Sequence, residues 1–169
     1  RRRRWVQGRL MRIAVVGASL AGLRALQALR RGGFSGRLIA IGEESEPPYD
    51  RPPLSKDVLA GKWDAERTRL LRPEDEALGI EWRLGRPAEA LDLAGRRVAL
   101  AGGESVDFDG LVIATGTYAR RLPNTPALAG IHLLRTLADC LALRAALDAS
   151  PRVVVIGAGF IGLEVAATC

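Results

Sequence analysis

The chain has 169 residues, of which 48% are apolar, 26% charged and 5% aromatic. This composition is typical of a globular α/β protein and gives no sign of a membrane-embedded or disordered chain. The net charge of +6 could suggest nucleic acid, but the first ten residues, RRRRWVQGRL, hold five arginines and the remainder carries 20 basic against 19 acidic residues. We therefore predict residues 1–10 to be a basic leader or tail, and we expect neither a nucleic-acid nor a membrane partner.

An arginine run before an apolar segment superficially resembles a secretion signal. We expect no export, because a strand and a glycine-rich turn account for the apolar run, and Met11 directly before it is a candidate start. Cys140 and Cys169 lie far apart and form no CxxC pair, which is typical of thiols in a reducing compartment. The expected location is the cytoplasm, and no metal site is predicted.

The segment RIAVVGASLAGLRAL predicts a buried strand over residues 12–17 and a helix over about 20–32, which Gly32-Gly33 ends. Gly17, Ser19 and Gly22 occupy the glycine positions of the turn between them. Such a turn directs backbone N–H groups and a helix N-terminus at the pyrophosphate of a dinucleotide.

The next segments predict further strands. RLIAIG, residues 37–42, reads as a second buried strand and is followed by the acidic pair Glu43 and Glu44. A proline-rich loop with a short helix near Ser55 follows, and IEWRL then predicts a third strand. Residues from about 88 to 110 indicate a small antiparallel meander, and LVIAT, residues 111–115, is an apolar strand that we expect beside residues 12–17 and 37–42 in one parallel sheet.

A second glycine-rich turn, RVVVIGAGFIGLEVA, follows a predicted helix, ADCLALRAALDAS. It carries Gly157, Gly159 and Gly162 between an expected strand and a helix that begins near Gly159. Two such turns predict two dinucleotides, FAD and NAD(P)H, as in a flavoenzyme that takes hydride from a nicotinamide. One strand and one helix cannot cover a parallel sheet, so the chain is expected to be an N-terminal fragment.

The predicted fold class is α/β. Residues 11–118 are expected to form a Rossmann-like, three-layer FAD-binding domain with a small antiparallel meander. Residues 119–169 are expected to begin a second Rossmann-like domain that binds NAD(P).

Five motifs occur in an order and spacing that resemble the FAD-dependent ferredoxin and rubredoxin reductases of bacterial oxygenase systems. They are VVGASLAG, PYDRPPLSK, LVIATG, HLLRT and VVVIGAGFIGLEVAAT, and the resemblance as a whole runs from Met11 to Cys169. One glycine motif alone is a weak signal, whereas this ordered set is specific. The redox cysteine pair of the related disulphide reductases is absent from the sequence.

The resemblance implies two groups of nucleotide-binding residues. Those expected to contact FAD through the first turn, the adenine end, the second FAD strand and the LLRT segment are Gly17, Ala18, Ser19, Ala21, Gly22, Ala88, Thr115, Gly116 and Arg135. Those expected to contact NAD(P)H are Gly157, Gly159, Ile161 and Gly162.

Four charged residues complete the implied site. Glu43, 26 residues after Gly17, is expected to bind the adenosine ribose, with Glu44 as the competing candidate. Arg51 and Lys56 lie in the loop that resembles the flavin cover, where a cation would stabilise the reduced flavin. Lys56 and Glu164 are expected to form an ion pair within about 4 Å and to be the catalytic pair.

The implied reaction passes hydride from NAD(P)H to FAD and then single electrons to an iron–sulfur partner, a ferredoxin or rubredoxin. Other flavoproteins of similar fold remain alternatives: a nitrite reductase subunit, a monodehydroascorbate reductase or a protein like apoptosis-inducing factor. An inactive truncated fragment is a further alternative. A nicotinamide-binding protein without flavin is disfavoured, because PYDRPPLSK would then have no role.

Overall fold

The structure is a computed structural model that describes residues 11–126 and 128–169. The predicted basic leader, residues 1–10, lies outside the described residues. The chain forms two compact units: the first joins the residues up to Tyr49 to Leu70–Gly116, and the second joins Asp50–Arg69 to Thr117–Cys169. The functional division at residue 118 stays a prediction, and each unit is described by itself.

The first unit contains a parallel sheet and an antiparallel sheet. Its strands are β1 (Arg12–Val16), β2 (Arg37–Ile41), β3 (Ile80–Arg83), β4 (Ala88–Asp92), β5 (Arg97–Leu100), β6 (Ser105–Asp107) and β7 (Gly110–Ile113). The parallel sheet has the order β3-β2-β1-β7, and the antiparallel sheet has the order β4-β5-β6. The three apolar segments therefore lie in one parallel sheet, as predicted. The predicted third strand and the predicted antiparallel meander are confirmed as well.

The parallel sheet is covered on both faces because its strands are apolar on both sides. Successive side chains of a strand point to opposite faces. Val15 packs with Leu26 of helix α1 (Leu20–Arg31), whereas Ala14 and Val16 pack with the antiparallel sheet through residues such as Val98. Helix, parallel sheet and antiparallel sheet form the three expected layers.

Helix α1 ends where the sequence predicts. Gly32 donates its backbone N–H to the Ala28 carbonyl at 2.8 Å, and Gly33 has a φ of +83°, which a glycine adopts without strain. The chain then turns through Phe34 into β2. This short connection places the carboxyl ends of β1 and β2 at one edge of the sheet.

The second unit consists of helices and loops in its described part. Its elements are two 3-10 helices, Pro52–Ser55 and Ala65–Thr68, and the α-helices α2 (Leu137–Leu147) and α3 (Phe160–Thr168). Thr136 and Asp139 form a reciprocal capping box at the start of α2. Leu54, Val58 and Cys140 are buried in this unit.

One prediction about this unit was wrong. The residues before Gly157 were expected to form a strand, but residues 151–158 have no regular structure, and Val154 and Ile156 are 84% and 77% exposed. A parallel strand exists only through hydrogen bonds to a neighbour, and no described segment supplies that neighbour. The turn and helix after the segment form nonetheless.

Candidate functional site

The first glycine turn is built so tightly that side chains are excluded from two positions. Gly17 has a φ of +116°, and a Cβ there would lie 2.0 Å from the Ala114 carbonyl oxygen. A Cβ on Gly22 would lie 1.8 Å from the Gly17 carbonyl oxygen. Both distances are far inside van der Waals contact, so the turn requires glycine at these positions.

The N-terminus of α1 follows this turn directly. Ser19 is the N-cap residue, and its side chain makes no capping hydrogen bond within the described residues. The first backbone N–H groups of a helix have no partner inside the helix and carry a partial positive charge. A site of this kind, which here includes Ala18 and Ala21, suits a pyrophosphate.

Other expected FAD residues lie at the carboxyl edge of the same sheet. Glu43 follows the end of β2 and is exposed, and Thr115 and Gly116 follow β7 and are exposed as well. Ligands of open α/β sheets bind outside the carboxyl ends of the strands, where the strand order reverses. Gly17 at the end of β1 shares this edge, so the first unit brings four expected residues together.

Glu44, the competing acidic candidate after β2, contacts a buried tyrosine. The Tyr49 hydroxyl donates a short hydrogen bond to the carboxylate of Glu44, and Tyr49 is buried. Glu44 therefore helps to fix the start of the following loop. Ala88, expected at the adenine end, is the exposed first residue of β4.

The second glycine turn repeats the geometry of the first. Gly157 has a φ of +119°, and a Cβ on Gly162 would lie 2.0 Å from the Gly157 carbonyl oxygen. Gly159 is the N-cap of α3, and Ile161 is exposed in its first turn. The described part of this unit thus contains a second helix start of the same design, a geometry that suits an anion.

Lys56 and Glu164 form the expected ion pair. Lys56 Nζ lies 2.9 Å from Glu164 Oε1, and both residues belong to the second unit. The other carboxylate oxygen, Glu164 Oε2, accepts a hydrogen bond of 2.5 Å from Ser55 Oγ. The bonds from Ser55 and Lys56 hold the pKa of Glu164 below its usual range. The carboxylate is therefore kept ionised and oriented.

Arg51 and Arg135, the other cations expected near flavin, are linked through the backbone. Arg51 Nη1 donates to the Arg135 carbonyl at 2.6 Å, and Arg135 Nε donates to the Thr117 carbonyl at 3.0 Å. The Arg135 backbone N–H is in turn held by the Asp139 carboxylate at 3.0 Å. These contacts position the two guanidinium groups within the second unit.

Three site contacts were not predicted from the sequence. Ser55 bonds to Glu164, Tyr49 bonds to Glu44, and the Thr168 hydroxyl lies 3.1 Å from the Ser55 carbonyl oxygen. Two features of the sequence could have indicated contacts near the ion pair: Ser55 is adjacent to Lys56, and Thr168 lies one helical turn after Glu164.

Within the part of the chain that the structure describes, no helix has the length and hydropathy needed to cross a bilayer. The same residues include no group of three or more histidine, cysteine or acidic side chains placed to hold a metal ion.

The fold and the two turns define a dinucleotide-binding protein of the Rossmann-like class. A family model described as pyridine nucleotide-disulphide oxidoreductase matches residues 11–169. The chain belongs to this family, which confirms the predicted resemblance at the family level.

Among curated relatives, the chain is 44% identical over 157 residues to the ferredoxin–NAD(+) reductase component of the biphenyl dioxygenase system of Paraburkholderia xenovorans. It is 40% identical over 161 residues to putidaredoxin reductase of Pseudomonas putida. Each alignment covers 92% of this chain and 38% of the relative. The chain thus spans about two fifths of the length of these relatives.

Among solved structures, the chain is similar to putidaredoxin reductase in its covalent complex with putidaredoxin, with 38% identity and a TM-score of 0.83 over 94% of this chain and 39% of the other. The ferredoxin reductase of the CYP199A2 system of Rhodopseudomonas palustris gives 36% identity and a TM-score of 0.85 over 93% and 39%. These similarities agree with the three-layer first unit.

Proposed function

We propose that the whole protein to which this chain belongs is an FAD-dependent NAD(P)H oxidoreductase that passes electrons to a ferredoxin or rubredoxin of an oxygenase system. The observation that carries the proposal is the pair of glycine turns of matching geometry at Gly17 and Gly157. The relatives that cover most of this chain are named as reductase components of ferredoxin and putidaredoxin systems, which supports the choice of acceptor.

The first turn fits FAD. Gly17 and Gly22 allow a tight turn in which a Cβ would collide with backbone, and the start of α1 that follows the turn offers N–H groups to a pyrophosphate. We assign Glu43 to the ribose hydroxyls, since a carboxylate accepts two hydrogen bonds from a diol. We assign Ala88, Thr115 and Gly116 further contacts with the same cofactor.

The second turn fits NAD(P)H on the same grounds. Gly157, Gly159 and Gly162 repeat the cradle, and we assign Ile161 a contact at the first turn of α3. In such folds, a residue about 20 positions after the glycine turn distinguishes NADH from NADPH.

Bound FAD supplies hydride acceptance and single-electron release, and the residues of this chain supply charge and position. We propose Lys56 and Glu164 as the catalytic pair. A cation at Lys56 would offset negative charge that develops during reduction, and Glu164 would keep the ammonium group oriented. The Lys56 side chain is 44% exposed, so solvent still reaches this cation. Arg51 and Arg135 are proposed to bind the cofactor through guanidinium groups that their backbone contacts position.

We further propose a cytoplasmic location. Both cysteines, Cys140 and Cys169, are free, as expected for thiols in a reducing compartment.

The proposal is tested by purifying the full-length protein and measuring its flavin absorbance and NAD(P)H-dependent reduction of a ferredoxin. Glu43→Ala should lower FAD affinity by about tenfold, since a charge-assisted hydrogen bond is lost. Glu46→Ala, which removes a nearby carboxylate outside the proposed site, is the matched control. A wild-type protein without flavin, or equal flavin loss in the two variants, would contradict the proposal.

A further inference from the structure

Both carboxylate oxygens of Glu164 are held by adjacent residues of one short segment. Oε1 lies 2.9 Å from Lys56 Nζ, and Oε2 lies 2.5 Å from Ser55 Oγ. One contact would leave the carboxylate free to rotate about its terminal torsion, which has a broad energy well. Two contacts fix the plane of the carboxylate.

The Ser55 hydroxyl has one proton and two acceptors within reach. The Pro52 carbonyl oxygen lies 3.3 Å away, whereas Glu164 Oε2 lies 2.5 Å away. The shorter distance falls in the range of hydrogen bonds from a hydroxyl to a charged oxygen, which are about twice as strong as neutral ones. The proton therefore belongs to the bond with Glu164.

Ser55 is itself held firmly. The residue is 5% exposed, and the Cys140 thiol donates to the carbonyl oxygen of the preceding Leu54 at 3.1 Å. The Thr168 hydroxyl lies 2.8 Å from the Glu164 carbonyl oxygen and 3.1 Å from that of Ser55, beside both partners. The 3-10 helix Pro52–Ser55 thus presents the Ser55 hydroxyl to α3 at a defined position.

We propose that Ser55 is a positioning residue that orients the carboxylate of Glu164 and, through it, the ammonium group of Lys56. The inference rests on the proposed function, because it treats Lys56 and Glu164 as the catalytic pair. The same hydrogen bond is the leading cause of the lowered pKa of Glu164. Within the described part of the chain, the charge that acts on Glu164 is that of Lys56, which follows the 3-10 helix packed against α3.

The test uses the full-length, FAD-loaded protein in four forms: wild type, Ser55→Ala, Ser55→Thr and Thr68→Val. Thr68 is a matched control, because it is a buried hydroxyl of the same unit that bonds locally to the Ala65 carbonyl at 2.6 Å. Two quantities are measured: the rate of flavin reduction by NAD(P)H in a single turnover, and the titration of Glu164 by carbon NMR of its carboxylate, assigned with Glu164→Gln.

Ser55→Ala should slow flavin reduction by about tenfold, with little change in NAD(P)H affinity, and should move the Glu164 titration to higher pH. Ser55→Thr keeps the hydroxyl and should restore both quantities, whereas Thr68→Val should change neither. The Ser55→Ala result decides alone if the threonine variant does not fold.

An unchanged titration or an unchanged rate in Ser55→Ala would overturn the inference, as would an equal loss of rate in Thr68→Val. If the wild-type protein binds FAD and reduces a ferredoxin while Ser55→Ala is unaffected, only the proposed role of Ser55 is contradicted. If the wild-type protein lacks flavin or this activity, the proposed function is contradicted as well.

Discussion

The two glycine turns have the same local geometry and different surroundings. Gly17 and Gly157 have φ angles of +116° and +119°, and a Cβ on Gly22 or Gly162 would lie 1.8 Å or 2.0 Å from the carbonyl oxygen of the respective turn. Outside the turn, however, a Cβ on Gly17 would strike Ala114, whereas one on Gly157 would meet nothing within 4 Å among the described residues.

This difference separates what a short segment encodes from what its neighbours add. Each turn forms from about a dozen consecutive residues, because the glycines and the apolar start of the helix are all local. The strand before the turn behaves otherwise: β1 lies between β2 and β7, whereas residues 151–158 have no partner strand in the described chain. Strand formation is therefore a property of the sheet, not of the turn.

The largest effect is expected for Gly17→Ala. The substitution combines an unfavourable positive φ with a collision against the Ala114 carbonyl, so it should cost at least about 3 kcal/mol of unfolding free energy and abolish FAD retention. Urea unfolding and flavin absorbance of the full-length protein measure these effects.

Gly33→Ala is the matched control for this prediction. Gly33 also has a positive φ, +83°, but a Cβ there meets nothing within 4 Å. Gly33→Ala should lower the free energy of unfolding by only about 1 kcal/mol, because it adds an unfavourable positive φ but no collision. Equal losses in the two variants would show that contact with Ala114 contributes nothing to the first turn.

Gly22→Ala and Gly162→Ala should have similar, intermediate effects on different ligands. Each adds a Cβ against the carbonyl oxygen of its own turn. We expect a loss of about 2 kcal/mol, or about 30-fold, in FAD affinity for the first variant and in NAD(P)H affinity for the second. Flavin titration of the apoprotein and nicotinamide titration of the flavin-loaded protein measure the two affinities. An equal loss of affinity for FAD and for NAD(P)H in either variant would contradict the assignment of one dinucleotide to each turn.

The smallest effect concerns acid stability of the second unit. The pKa of Glu164 is lowered by Ser55 and Lys56 from an ordinary value of 4.5, so its contribution to stability is present above that pH and is lost as the pH falls through the lowered pKa. Wild type should therefore melt slightly above Glu164→Gln at pH 7, and the difference should vanish in acid. A difference that grows as pH falls would contradict the ion pair.

The features that depend on short segments or on motif order could be predicted from the sequence. The three layers, the parallel pairing of β1 with β2 and β7, and the Lys56–Glu164 contact were all expected from motifs. The prediction of a strand before Gly157 was wrong. Apolar residues in that segment predict a buried strand whether or not a partner strand is available.

The contacts of Ser55 escaped prediction for a different reason. A serine hydroxyl has several possible acceptors, and the sequence does not show which of them the fold brings near. The structure resolves this by placing α3 against the 3-10 helix that ends at Ser55, 109 positions before Glu164.

The central claim is that the two turns bind different dinucleotides, and a crystal structure of the full-length protein with FAD and NAD(P)⁺ tests it most directly. We predict the FAD pyrophosphate against the backbone N–H groups that follow Gly17 and the nicotinamide dinucleotide pyrophosphate against those that follow Gly157. FAD at the second turn, or both pyrophosphates away from the two helix starts, would contradict the account.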